Sequence, residues 1–153
     1  YAMSLYPTME AHREGYAENI YLDPQTRTYI EEAGGANVLF VDKDNQLIVP
    51  KSPSILPSVT RRSLVYVAEH YLGLKVIERP VALAEVKDFK ECALCGTAAV
   101  MAPVGEIHTA DGVIRFPSGM EKMGEVTAKL RSTLTGIQDG EIEAPEGWID
   151  VIV

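Results

Sequence analysis

The sequence predicts an α+β fold: a mixed or antiparallel sheet, or a barrel-like core, with a few helices packed against it. Three observations predict this. Short runs rich in Val, Ile, Leu and Tyr recur along the chain, most of them are separated by tight turn sequences, and few stretches carry helical spacing. Strands paired through tight turns favour antiparallel neighbours over a doubly wound parallel sheet.

The elements follow in order. Residues 2–14 place Met3, Leu5, Tyr6, Met9 and His12 near helical spacing, with Gly15 as a stop. Asn19 to Leu22 reads as a strand, and Asp23-Pro24-Gln25-Thr26 as a turn in which Pro24 presets φ and Asp23 caps. Thr28-Tyr29-Ile30 is a second short strand that runs into the small-residue break Ala33-Gly34-Gly35-Ala36. Val38 to Val41 and Leu47 to Val49 pair across the Asp42-Lys43-Asp44-Asn45 turn. Pro50, Pro53 and Pro57 stiffen a loop, after which Leu64, Val67, Ala68 and Tyr71 line one face of a helix from Val59 to about Tyr71, stopped by Gly73. Lys75 to Val81 is strand-like and 83–88 a short helical turn. Glu91 to Cys95 and Ala99 to Met101 flank a tight Gly96-Thr97-Ala98 turn, Asp111-Gly112 closes another hairpin, and Glu121 to about Leu134 is the last long helix. An acidic tail containing Pro and Gly leads to Trp148.

With 153 residues the chain is long enough for one hydrophobic core, so residues 1–153 are expected to form a single domain. A net charge of −8 disfavours nucleic acid as a partner, because a phosphate backbone needs clustered Lys and Arg. It leaves room for a phosphorylated small molecule, which needs only local donors. No apolar run approaches the roughly 20 residues of a membrane span. Two cysteines build no disulfide framework, so a cytoplasmic protein is expected. The chain opens at Tyr1 rather than at a methionine, and the reading is of one part of a larger protein.

Four local features bear on chemistry. Ser58-Val59-Thr60-Arg61-Arg62 opens the central helix, where amides without internal partners sit at the positive end of the dipole and suit a phosphate. The same residues also read as an ordinary hydroxyl N-cap. Gly96-Thr97-Ala98-Ala99 lets a ligand approach the backbone, with amides and the Thr97 hydroxyl as donors, and equally reads as a plain turn between buried strands. Glu31-Glu32, before the glycine break, offers one carboxylate pointing inward that could hold a proton on a ring nitrogen. Its neighbour is expected to face the other way into solvent. Cys92 and Cys95 stand three apart, a spacing that puts them on opposite sides of a strand and disfavours redox or zinc chemistry. His12, His70 and His108 are scattered and carry no assigned role. Arg61 and Arg62 are expected to face solvent or form salt bridges.

Taken together and in order, these features resemble the fold-type IV pyridoxal-phosphate enzymes, most closely the branched-chain amino-acid aminotransferases, along nearly the whole chain. Tyr1-Ala2 followed by Ser4-Leu5 is similar to the end of the family's Lys-x-Gly-Gly-Asn-Tyr-Ala segment. Tyr29-Ile30-Glu31-Glu32 with Asn37 and Phe40 is similar to Ile-x-Glu…Asn-Leu-Phe, with one extra residue before the phenylalanine. Ile55-Leu56-Pro57-Ser58-Val59-Thr60-Arg61-Arg62 is similar to Leu-Pro-Gly-Val-Thr-Arg, with Ser58 in place of glycine. Gly96-Thr97-Ala98-Ala99 resembles the Gly-Thr-Ala turn. Leu134-Thr135-Gly136-Ile137-Gln138 with Trp148 looks like the tail of the larger branched-chain subgroup, although Asp139 stands where a tyrosine is usual.

The resemblance implies a cofactor, pyridoxal 5'-phosphate, and a reaction, reversible transamination of leucine, isoleucine and valine with 2-oxoglutarate. It assigns cofactor contacts to Tyr1 (phenolic oxygen), Glu32 (ring nitrogen), Leu56 (ring face) and Val59, Thr60 and Thr97 (phosphate). Gly35, Ala98 and Ala99 would face the substrate. It also implies a homodimer, and it puts the lysine that carries the cofactor upstream of Tyr1, so that these residues alone are not expected to turn over. Two other readings stand beside it. One is another fold-type IV enzyme, a D-amino-acid aminotransferase or aminodeoxychorismate lyase; the other is a non-catalytic ligand-binding or dimerisation domain.

Overall fold

The computed structural model describes residues 2–150 and 152. A helix, α1 (Leu5–Arg13), follows one 3-10 turn at Ala2–Ser4. Nine strands come next: β1 (Ile20–Leu22), β2 (Ile30–Ala33), β3 (Asn37–Val41), β4 (Leu47–Pro50), β5 (Val76–Arg79), β6 (Glu91–Gly96), β7 (Val100–Val104), β8 (Glu106–Thr109) and β9 (Gly112–Arg115). Helix α2 (Val59–His70) joins β4 to β5, and α3 (Glu125–Gln138) follows β9. No helix among the described residues is long and apolar enough to cross a membrane.

The sheet is mixed, and the α+β expectation holds. Seven strands share one sheet, β1 to β5 in sequence order with β6 and β7 attached through β3. All pairs are antiparallel except β4 with β5, which run parallel because α2 carries the chain back between them. Strand β3 is central: it pairs along its whole length with β6 on one edge, and with β2 and then β4 on the other. Hairpin β8–β9 forms a separate two-stranded ribbon.

The pleat divides the interior in two. Leu39, Val41, Leu47, Val49, Ala93 and Cys95 point to the face covered by α2 and α3, where Leu64, Val67, Leu130 and Leu134 meet them. Val38, Phe40, Ile48 and Cys92 point the other way, against Val86, Phe89, Ile107 and Phe116. Phe40 stacks on Phe89 with centroids 5.0 Å apart. Strands β3, from Val38 onward, and β4 are therefore buried on both faces and read as apolar runs. The two cysteines lie in different halves of this interior, so their thiols face apart as the strand geometry requires.

Helix α3 starts at Glu125, not Glu121, and continues to Gln138. Its N-terminus is capped from a distance. Glu91, at the head of β6 and only 4% exposed, accepts hydrogen bonds from Val126 N (3.1 Å), Thr127 N (2.9 Å) and Thr127 Oγ1 (2.9 Å). Gly124 is the N-cap because the Glu91 side chain fills the space a β-carbon would need. At the other end of the chain, Trp148 packs on Tyr66 of α2, with ring centroids 5.2 Å apart. The Tyr71 hydroxyl donates to the Glu143 carbonyl at 2.6 Å and holds the tail against the same helix.

Candidate functional site

Strand β2 does not alternate. Ile30 and Ala33 both enter the core on the Phe40 face, and a register shift against β1 leaves Glu31 and Glu32 between them. The expectation that one of these carboxylates faces solvent is therefore corrected: both are half-buried and both reach the 50–57 loop. Glu31 Oε1 accepts from Ser52 Oγ at 2.8 Å, and Glu32 Oε2 accepts from the Leu56 amide at 3.0 Å. Glu32 Oε2 also receives Asn37 Nδ2 at 3.4 Å. Among the described residues Glu32 Oε1 has no partner.

The proline-rich loop delivers the chain into α2. Ser58 is extended (φ −89°, ψ 130°) and its hydroxyl accepts from Arg61 N at 3.1 Å, so the N-cap reading of Ser58 holds. The cap consumes the third amide of the helix and leaves those of Val59 and Thr60, the first two, without an acceptor among the described residues. Ser58 thus caps the helix without using its first two amides. Leu56 and Val59 are 57% and 68% exposed beside them.

Strand β6 ends in the Thr97–Ala99 turn, all three of whose residues are exposed. Val100, which closes the turn, has φ 57°, a left-handed conformation that a β-branched residue adopts at a cost of roughly 1–2 kcal/mol. Such backbone strain tends to collect at functional sites. The amides of Thr97, Ala98 and Ala99 and the Thr97 hydroxyl have no acceptor among the described residues.

Two of the three segments meet at the start of β3, and the third reaches them through the Leu56 amide on Glu32. Asn37 pairs with Glu32 on β2 and with Cys95 on β6, so the carboxylate and the turn flank one strand end. A β-carbon on Gly96 would lie 3.6 Å from the Gly35 carbonyl oxygen, which puts the glycine break directly against the turn. Arg61 is not the solvent-facing or salt-bridged residue expected. It is half-buried, its Nη1 donates to the Pro50 carbonyl at 3.3 Å, and its charge acts on Cys95. Burial pushes the Cys95 thiol up to about 12, opposed by this guanidinium. The hydrogen bond to Pro50 ties the first turn of α2 to the end of β4. Arg62 is exposed, and neither arginine forms an ion pair among the described residues.

Of the residues singled out in sequence, Leu56 contacts Glu32 directly and leads into Val59 and Thr60, while Gly35 lies beside Gly96, the residue before Thr97, Ala98 and Ala99. No hydrogen bond joins Val59 and Thr60 to that turn among the described residues. Tyr1 lies outside the described residues. The glycine break is less open than its composition implies, because a β-carbon on Gly34 would sit 2.5 Å from Glu18 Oε1. A cleft of about 580 Å³ between the 83–88 turn and β8–β9, lined by Arg27, Lys87 and Arg115, shares no residue with this region. The histidines serve elsewhere: His12 contacts the Ala17 carbonyl, His70 stacks on Tyr66 and His108 pairs with Glu106. Sequence reasoning missed Arg61 and Glu18 as parts of this neighbourhood. The arginine's position within one helical turn of the cap was the available signal; for Glu18 there was none.

The chemistry of the region is a set of uncommitted donors. Among the described residues, backbone amides at two chain turns and the Thr60 and Thr97 hydroxyls face no acceptor, while one carboxylate oxygen faces no donor. The family described as amino-transferase class IV matches residues 1–107. The chain belongs to the class IV amino-transferases. Relatives of this aminotransferase chain include the branched-chain-amino-acid aminotransferase of Haemophilus influenzae, 49% identical over 97% of this chain and 45% of that protein. The solved branched-chain amino acid aminotransferase from Escherichia coli has 34% identity and a TM-score of 0.81, covering 98% of this chain and 48% of that one. Another solved branched-chain amino acid aminotransferase, from T.th. and complexed with N-(5'-phosphopyridoxyl)-L-glutamate, has 27% identity and a TM-score of 0.84 over 98% of this chain and 47% of that one. The chain spans about half the length of the curated relatives it matches.

Proposed function

We propose that this chain is the cofactor-binding part of a pyridoxal-phosphate enzyme that transaminates branched-chain L-amino acids with 2-oxoglutarate. One observation carries the reading: a half-buried carboxylate with one oxygen uncommitted flanks the same strand end as the 97–99 turn and accepts from the Leu56 amide just before α2, and amides of that turn and of the start of α2 have no acceptor among the described residues. A phosphorylated pyridine with a protonated ring nitrogen needs that combination, an anion acceptor beside an anion-binding cradle. The relative complexed with a phosphopyridoxyl amino acid is similar in fold over 98% of this chain.

Bound pyridoxal phosphate supplies an electron sink for the bond broken at the substrate's α-carbon. This chain's residues do the rest of the holding. Glu32 Oε1 accepts the ring N–H and keeps the nitrogen charged. Val59 N, Thr60 N and Oγ1, and the Thr97 amide and hydroxyl donate to the phosphate, aided by the dipole of α2. Leu56, exposed beside the start of α2, would cover the ring face, and the family resemblance would give Tyr1, outside the described residues, the contact with the ring's phenolic oxygen. Gly35, Ala98 and Ala99 present small groups and amides to the substrate carboxylate. The proton-carrying lysine would come from sequence upstream of Tyr1. We further infer a cytoplasmic homodimer, as the family resemblance and the two free cysteines favour.

Equilibrium dialysis against pyridoxal phosphate tests the cofactor reading. Glu32→Ala and Thr97→Ala should each weaken binding about tenfold or more, since each removes a charge-assisted or phosphate hydrogen bond. Wild-type-like affinity in both variants would sink it. Turnover of leucine plus 2-oxoglutarate is expected only when the upstream segment is present, and turnover by residues 1–153 alone would refute that part.

A further inference from the structure

Asn37 is a polar residue in an otherwise apolar strand. Val38 to Val41 are all buried hydrophobes, and Asn37 is itself only 5% exposed. Its amide orientation is fixed by its neighbour: Nδ2 must face Glu32 Oε2, because the amide oxygen would be repelled by a carboxylate. That orientation leaves Oδ1 buried without a hydrogen-bond partner among the described residues. A leucine of similar volume would leave no such orphan, and burying an unsatisfied amide oxygen disfavours folding. The side chain is thus poorly justified as packing. What it does accomplish is to join the Leu56 amide on a single oxygen of Glu32, so that Oε2 is held from two sides and Oε1 is not.

We propose that Asn37 is a positioning residue: together with the Leu56 amide it locks Glu32 through Oε2 and thereby presents Oε1 to the ring nitrogen of bound pyridoxal phosphate. This rests on the pyridoxal-phosphate reading given above. With Oε2 held from two sides, Oε1 stays where it can accept the ring N–H, so Asn37 keeps the acceptor aligned with that proton. Removing the amide frees the carboxylate to rotate away from that N–H.

The test uses holoenzyme loaded with cofactor labelled with nitrogen-15 in the ring, whose NMR shift reports directly whether the nitrogen is protonated. Asn37→Leu and Asn37→Ala are compared with wild type and with Glu32→Gln, and apo-protein melting is followed in parallel. Asn37→Leu should melt at or above the wild-type temperature, yet its ring nitrogen should lose its proton at lower pH. The kcat should fall about tenfold with KM little changed, the pattern expected when one hydrogen bond that aligns the reacting state is lost. Asn37→Ala should show the same pH shift even if it melts lower, which covers the case in which leucine does not fit. If Glu32→Gln moves the nitrogen signal while both Asn37 variants titrate as wild type, the positioning role is overturned and the cofactor reading stands. If Glu32→Gln leaves the signal unmoved, the cofactor reading fails and takes this inference with it.

Discussion

Replacing Gly124 by alanine would put a methyl group into the Glu91 side chain. Nothing in the backbone forbids the change, since Gly124 has φ −63° and ψ 161°, open to any residue. The obstacle is the Glu91 Cδ and Oε2, well inside van der Waals range of the new carbon. Glu91 cannot swing aside cheaply, because its carboxylate accepts three hydrogen bonds from the start of α3. Overpacking of this kind costs about 2–4 kcal/mol once the loss of part of that cap is included. Glu91→Ala, which leaves the Val126 and Thr127 amides buried without an acceptor, should cost about 3–5 kcal/mol. The informative variant is the double one. With Glu91 already removed, the methyl group added at position 124 enters vacated space, and the second substitution should cost under about 1 kcal/mol. Urea unfolding at constant m-value would give a coupling energy of about 2–3 kcal/mol, and Gly124→Ala alone should lower the melting temperature by roughly 4–16 °C. Additivity within about 0.5 kcal/mol would show that the glycine is there for some other reason.

Three further outcomes are expected. Burial pushes the Cys92 thiol far up and the Cys95 thiol up to about 12. Iodoacetamide at about pH 8 should therefore label native protein over a hundredfold more slowly (~10² or more) than unfolded protein, and fast labelling of either cysteine would contradict the burial. The Tyr29 amide, followed by bonds from Thr26 and Thr28, holds the Asp23 carboxyl well below the usual carboxylate range. A depressed folded value means that this contribution is present above the unfolded pKa of about 4 and is lost as pH falls toward the folded value. Exchange protection at Thr28 and Tyr29 should then decline in acid, whereas Asp23→Asn should show low protection with no such pH dependence; superimposable profiles would rule this out. Ser58→Ala removes the cap bond to Arg61 N and should destabilise by about 1 kcal/mol in a denaturant melt, with no change meaning that water replaces the hydroxyl.

Much of the sheet was legible because its signals are local. The Asp42–Asn45 turn between two apolar runs fixes the β3–β4 hairpin, and the spacing of Leu64, Val67 and Ala68 fixes the buried face of α2. The spacing of the two cysteines was enough to send them into different halves of the core. What escaped depended on partners distant in sequence. The start of α3 is set by Glu91, far upstream, and no capping residue within the segment announces it. Alternation misled at Glu31 and Glu32, because the shifted register against β1 takes two consecutive residues out of the pleat on the same side. At the candidate site, motif order singled out Glu32 and Leu56, which one hydrogen bond joins. The polarity of Arg61 suggested water, yet its guanidinium folds back onto the Pro50 carbonyl.

Strand β6 joins two fittings that sequence separates. Its first residue is bolted to the head of α3 through Glu91, and its last leads into the strained turn at Thr97–Ala99. Because the strand between them is packed from both sides, it behaves as a stiff spar rather than a hinge. A shift of α3 on its seat would be transmitted along the spar to the turn. The first turn of α3 is therefore seated on the same strand whose far end leads into the Thr97–Ala99 turn.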